Sequence, residues 1–333
     1  MRKLTSKLWV ALVILVSLTL NSVTIYSQQE AHYTQFMYNK ILVNPGFAGA
    51  RRVPSVSALY RNQWMGYGGH PQSYLVSFDD AFKNRLGTGL VLHRQTEGVI
   101  TRSAANLALS YDIINTKDAT LRVGLSGTIR EFKFDLLNPD VYIKDRTDAS
   151  LDLSNPKITN ANVGAGIYFD KKTYYIGLSL PNLMKNPISL RNNTGADLIG
   201  TEKRHVYLMA GGFFKLFDNN DLHLKPSVMA KFVQNAPFSV DANLSLMFKK
   251  TIMGGVSYRF GGKYDIGDTK SGGGDSVDLL AFMQTSEKLG IGFAYDFTLS
   301  QIANYSKGSI ELVVRYDFAP STKRILHNPR YFF

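Results

Sequence analysis

Pro237-Phe238-Ser239-Val240-Asp241-Ala242-Asn243-Leu244-Ser245-Leu246-Met247-Phe248 is the stretch on which the fold turns. Side chains alternate across a β-strand. Phe238, Val240, Ala242, Leu244, Leu246 and Phe248 therefore share one face. Ser239, Asp241, Asn243, Ser245 and Met247 share the other. The apolar face has aromatic residues at its ends and aliphatic residues between them. A strand crossing a bilayer in a barrel needs that order, with aliphatics at acyl depth and aromatics at the interfaces.

The pattern repeats outward from this segment. Ile252, Gly254, Val256, Tyr258 and Phe260 oppose Ser257 and Arg259. Leu289, Ile291, Phe293, Tyr295 and Phe297 oppose Gly290, Gly292, Ala294 and Asp296. Ile310, Leu312, Val314, Tyr316 and Phe318 oppose Ser309, Glu311, Arg315 and Asp317. Charges on the second face need water or partners, which a polar barrel interior supplies. Leu86, Leu90 and Leu92 share a face with Arg94, so that strand leaves the apolar band near Arg94.

The whole chain reads as an all-β transmembrane outer-membrane antiparallel β-barrel of about fourteen strands, an even number as single-chain barrels have. The expected spans are 54–61, 72–79, 86–95, 99–113, 119–134, 161–170, 173–180, 204–217, 221–234, 237–248, 251–261, 276–285, 288–297 and 308–318. With both barrel ends in the periplasm, the even connections lie inside and are short: 80–85, 114–118, 171–172, 218–220, 249–250 and 286–287. The long connections, 62–71, 135–160, 181–203, 262–275 and 298–307, are all odd and lie outside. Barrels of this class have short periplasmic turns and longer outer loops. A soluble β-sandwich would also alternate, but it needs neither aromatic-capped apolar faces nor this loop asymmetry.

The chain opens Met1-Arg2-Lys3, with Lys7 and then an uncharged stretch from Leu8 to Leu20. A span needs about 20 apolar residues as a helix. This stretch is shorter, so residues 1–27 read as a secretory signal peptide ending near Ser27. Cysteine is absent, which excludes a cysteine-anchored lipoprotein, a disulfide scaffold and a thiolate metal site. The 38 basic residues less three in the leader leave 35 against 26 acidic, a surplus of nine. Export argues against nucleic acid as the partner of that surplus. Lipid head groups or an acidic partner fit better.

No catalytic, cofactor or metal site emerges. His32, His70, His93, His205, His223 and His327 lack metal-ligand spacing. Gly261-Gly262-Lys263 and Gly272-Gly273-Gly274 lack phosphate-loop spacing. Segment 261–276, with Asp265, Asp268 and Asp275, reads as a flexible surface loop. Residues 28–53 form an N-terminal periplasmic or plug segment ahead of the barrel, 54–318. Phe36, Met37, Ile41 and Leu42 there suggest a short helical face stopped by Asn44-Pro45-Gly46. The tail, 319–333, is basic and aromatic. Leaving Ile325, Tyr331, Phe332 and Phe333 in water is unfavourable, so docking in the barrel mouth or on a periplasmic partner is expected.

Ordered motifs carry a resemblance across nearly the whole chain after the leader. They are Tyr33-Thr34-Gln35-Phe36-Met37-Tyr38-Asn39, Asn44-Pro45-Gly46-Phe47-Ala48-Gly49 and Tyr60-Arg61-Asn62-Gln63-Trp64. Later come Gly254-Gly255-Val256-Ser257-Tyr258-Arg259, Tyr295-Asp296-Phe297-Thr298-Leu299-Ser300, Asn304-Tyr305-Ser306 and Asn328-Pro329-Arg330-Tyr331-Phe332. The chain resembles the PorP/SprF family of the Bacteroidetes type IX secretion and gliding machinery. That resemblance implies an integral outer-membrane protein that assists export or surface attachment of cargo through the cargo's C-terminal domain. It implies type IX components, cargo and outer-membrane lipid as partners, and no catalytic residues. Asn44, Pro45, Arg61, Asn62, Gln63, Trp64, Asn328, Pro329, Arg330, Tyr331 and Phe332 become the candidate partner-contact or motif residues. The polar interior alone also permits a passive porin or small-molecule transporter.

Overall fold

The computed structural model describes residues 32–82, 85–136, 157–188, 200–217, 221–233, 238–266 and 269–318. The expected leader at 1–27 and the tail at 319–333, with Asn328, Pro329, Arg330, Tyr331 and Phe332, lie outside these residues. Fourteen strands form one ring. They are β1 (Ser55–Asn62), β2 (Gln72–Phe82), β3 (Leu86–Glu97), β4 (Ile100–Asn115), β5 (Ala119–Phe134), β6 (Lys157–Lys171) and β7 (Tyr174–Leu180). Then follow β8 (His205–Gly212), β9 (Leu222–Val233), β10 (Ser239–Phe248), β11 (Ile252–Ile266), β12 (Thr269–Gln284), β13 (Leu289–Thr298) and β14 (Ser309–Asp317). Every neighbouring pair is antiparallel. Closure comes from β1 on β14, in register Ser55↔Asp317 to Asn62↔Ile310. A closed ring leaves no unpaired strand edge, which a bilayer would not tolerate.

The alternation read from Phe238 to Phe248 holds in three dimensions. Leu244, Leu246 and Phe248 are exposed, whereas Ser239, Asp241, Asn243, Ser245 and Met247 are buried in the lumen. Around the ring, Leu107, Leu125, Ile129, Val163, Val256, Leu279 and Leu312 form the exposed aliphatic band. Phe82, Tyr111, Phe248 and Phe318 edge it at the end with the short turns. Tyr74, Phe232, Phe238 and Phe297 edge it at the other. Such a continuous apolar surface is a bilayer-facing one. Arg94 is exposed beyond Leu92, where β3 leaves that band.

Two expectations need correction. Segment 262–275 is not a long loop: β11 and β12 keep pairing as far as Ile266↔Thr269, through register shifts at Arg259/Phe260 and Gly261/Tyr264. Glycine runs mark bulged strand as well as turns, and the bulges absorb the misfit. The span 204–217 is broken at Phe213, whose amide donates to the Thr173 carbonyl at 2.8 Å. The ladder then resumes as Phe214–Lys215. Segment 181–203 contains a small pairing of Pro187–Ile188 with Gly200–Thr201. The turn at Lys249-Lys250 has both residues at positive φ, 47° and 56°. That geometry matches the right-handed twist of the strands it joins.

Candidate functional site

Residues 32–53 lie inside the ring. They form three 3-10 turns, Phe36–Tyr38, Lys40–Leu42 and Pro45–Phe47. The short helical face expected at Phe36, Met37, Ile41 and Leu42 is thus two 3-10 turns that end at Leu42, and Asn44-Pro45-Gly46 opens a third. Asn44 caps the third turn, its Oδ1 accepting from the Gly46 amide at 2.8 Å. Proline at the first position of that turn loses no hydrogen bond. The Asn44 Nδ2 donates to the Ile167 carbonyl of β6 at 3.0 Å. The segment's own carbonyls are satisfied by the wall. Ser179 donates to Val43 at 2.6 Å and Ser110 to Ala48 at 2.7 Å. The wall makes room with inward glycines: a Cβ on Gly124 would lie 2.3 Å from the Pro45 carbonyl carbon.

Arg61 is the hub at the long-loop end. It is 2% exposed and donates to Asp296 at 2.6 Å, to Glu311 at 3.0 Å and to the Thr34 hydroxyl at 3.1 Å. That hydroxyl in turn donates to Asp296 at 2.9 Å and accepts from Arg259 at 3.2 Å. Glu311 accepts from the amides of both Thr34 and Gln35, at 3.0 and 2.8 Å. Buried charges of this kind stay ionised only when paired and hydrogen-bonded. Arg259 also pairs with Asp241 at 2.6 Å, as does Lys231. Lys231 reaches His32 at 2.9 Å. Burial first, then the Lys231 charge, holds His32 well below its usual value, so its ring is neutral at pH 7.

A second set lies towards the short-turn end. Arg51 pairs with Asp79 at 3.0 Å and donates to the Tyr38 carbonyl at 2.6 Å. Arg52 and Arg122 share Asp112, and Arg122 reaches Asp170 at 2.5 Å. Between the sets are apolar contacts. Tyr38 stacks on Phe282 at 4.5 Å, and Phe47 meets Tyr168 edge-on at 5.3 Å. A cavity of about 110 Å³ remains beside the segment, lined by Tyr33, His93, Gln95, Arg130 and Glu202 among others.

The candidate residues thus divide. Asn44, Pro45 and Arg61 all lie in the lumen, the first two on the segment against β5 and β6 and Arg61 on β1 against Thr34. Asn62, Gln63 and Trp64 instead climb to the rim. The Gln63 amide bonds the Pro71 carbonyl at 2.9 Å. Trp64 sits at φ 55°, and its amide bonds Ser309 Oγ at 3.0 Å. The rim motif joins the β1–β2 loop to the start of β14. Thr34, Asp296 and Glu311 lie in quoted motifs or on inward faces, yet only a three-dimensional view shows them as one cluster. Among the described residues the histidines hold other groups. His93 bonds the Tyr33 hydroxyl at 2.7 Å, and His223 stacks on Phe213 at 4.5 Å.

No curated protein matches the chain. Among solved structures, the toluene transporter TbuX of Ralstonia pickettii is similar over 83% of this chain and 92% of its own, at 9% identity and TM-score 0.46. A Pseudomonas aeruginosa FadL homologue is similar over 83% and 93%, at 13% and 0.45. The Acinetobacter baumannii outer-membrane protein Omp33 is similar over 80% and 100%, at 6% and 0.45. The strand register, not these distant likenesses, defines the barrel. The family model for the type IX secretion system membrane protein PorP/SprF matches residues 25–316, and the chain belongs to that family of outer-membrane barrel proteins.

Proposed function

We propose that this protein assists the export or surface attachment of particular cargo proteins, through the cargo's C-terminal domain, as an outer-membrane part of the type IX machinery. The short-turn end faces the periplasm in this reading, and the other machine components meet it there. The long connections face outward, where cargo is displayed. Lipid covers the aliphatic band.

The observation that carries this reading beyond family membership is the filled lumen. A diffusion porin keeps a water-filled passage along its axis. Here family-motif residues occupy that axis, tied to the wall by Arg61 on Thr34, Asn44 on Ile167 and Arg51 on Asp79. An interior built to hold a segment in one place suits a docking protein better than a passive channel. Deleting the gene is expected to abolish surface display of one or a few large exported proteins while nutrient uptake stays normal. Impaired uptake with normal surface proteins would favour the porin or small-molecule transporter instead.

A further inference from the structure

We propose that the short-turn rim of the barrel binds the head groups of anionic phospholipids around its whole circumference. Each of the six short connections carries an exposed cation. They are Arg85 between β2 and β3, Lys117 between β4 and β5, Lys172 between β6 and β7, Lys215 between β8 and β9, Lys249 between β10 and β11, and Lys288 between β12 and β13. Lys171 and Lys250 add a second cation to two of them. Among the described residues, the carboxylates outside the lumen at this end are Asp80, Asp118, Asp221 and Glu287, half as many. Asp79, Asp112, Asp170 and Asp317 are buried inside the ring. Lys172 pairs with Asp118 at 2.6 Å, but both groups are exposed and water weakens such a pair. The rim therefore keeps a positive surplus.

Depth decides what these cations meet. Each stands close to an apolar side chain of the outer wall. Arg85 precedes exposed Leu86, and Lys215 lies between exposed Phe214 and Leu216. Lys172 is near exposed Tyr174, Lys117 near exposed Ile114, and Lys288 beside half-exposed Leu289. Lys249 lies over the ring of exposed Phe248, 5.3 Å from its centre. Connections this short cannot carry a charge far past the edge of the apolar band. The apolar neighbour sits at the acyl boundary, and the lysine stem runs along it to put the ammonium among the phosphates. An acidic protein would meet cations gathered on one side of the rim. Cations in every connection fit a ligand that surrounds the barrel, as lipid does. Anionic head groups are attracted to basic clusters at a membrane surface. With the short-turn end in the periplasm, as proposed above, the leaflet concerned is the inner one.

The full-length protein, folded in detergent, is mixed with phosphatidylglycerol or with phosphatidylcholine of the same acyl chains. Native mass spectrometry counts the lipids retained, and a water-soluble amine reagent with peptide mapping reads the access to each lysine. Phosphatidylglycerol should be retained in preference, by roughly fivefold for each cation that a head group meets, and less so in high salt. It should also slow modification of Lys117, Lys172, Lys215, Lys249 and Lys288 together. Combining Arg85→Gln, Lys117→Gln, Lys215→Gln and Lys249→Gln should remove most of the preference. Equal retention of the two lipids, or an undiminished preference in that variant, overturns the proposal. So does protection confined to one side of the rim, the mark of a discrete protein-docking patch. The protection pattern is read in the unmodified chain and decides the matter even if the variant does not fold. Neither measurement involves cargo, so a failure here is distinct from a failure of the secretion reading.

Discussion

The lipid-facing wall and the lumen are built from alternate residues of the same strands, yet they follow different rules. Outside, Leu244, Val256 and Leu279 meet acyl chains that accept any apolar shape. Inside, Arg61 has named partners at fixed distances, Asp296 at 2.6 Å and Glu311 at 3.0 Å. The outer surface is specified by hydropathy and the inner one by pairs. Substitutions that keep hydropathy should pass unnoticed outside, while substitutions that keep size but break a pair should be severe inside.

The sharpest way to break this comparison is Arg61→Met, which keeps bulk and removes the charge. Glu311 and Asp296 would lose their shared cation, a change that typically costs about 3–5 kcal/mol for a buried pair. Adding Glu311→Gln should recover part of that loss, since fewer unpaired charges remain. Equilibrium urea unfolding of the detergent-folded barrel measures both. An Arg61→Met variant as stable as the parent would mean that the lumen is not specified by pairs.

Next in size is the wall itself. Leu244→Arg places a charge near mid-bilayer and should cost about 2–4 kcal/mol. Asn243→Ser, one residue away but facing the lumen, removes a long 3.5 Å bond to the Thr34 carbonyl. Its cost should be about 1 kcal/mol or less. Folding into lipid vesicles in urea compares the two variants. Equal costs would erase the distinction between the faces.

The smallest effect is that of pH. His32, facing Lys231, Arg259, Asp241 and Arg61, has its folded value lowered. Its contribution is complete above about pH 6.5 and is lost as pH falls from there towards the folded value, by at most about 1.4 kcal/mol per unit. His32→Gln should flatten unfolding free energy between pH 6.5 and 5.5 relative to the parent. An unchanged slope would place the sensitivity elsewhere in the lumen.

The wall was legible in the sequence because lipid imposes one demand on every outward residue, so the demand repeats with period two. That periodicity located all fourteen strands and the phase of Leu244. The inward charges Arg259, Asp296, Glu311, Arg315 and Asp317 were legible as groups needing partners, but not as parts of particular pairs. Arg61 and Glu311 lie 250 positions apart, and no local pattern links them. Arg51 and Arg52 were silent because 28–53 has no strand periodicity. The long β11–β12 hairpin was hidden by glycines whose turn chemistry outweighed their role at bulges.

The two amides held by Glu311 also bear on the order of assembly. Thr34 and Gln35 precede the first strand, whereas Glu311 sits on the last. Contacts this far apart in the chain carry a large loop-closure cost and form slowly. The native interior of the seam between β1 and β14 includes these leading residues. A barrel closed around an empty bore would have Glu311 without its two amide donors, so the seam reaches its full stability only with the leading residues in place.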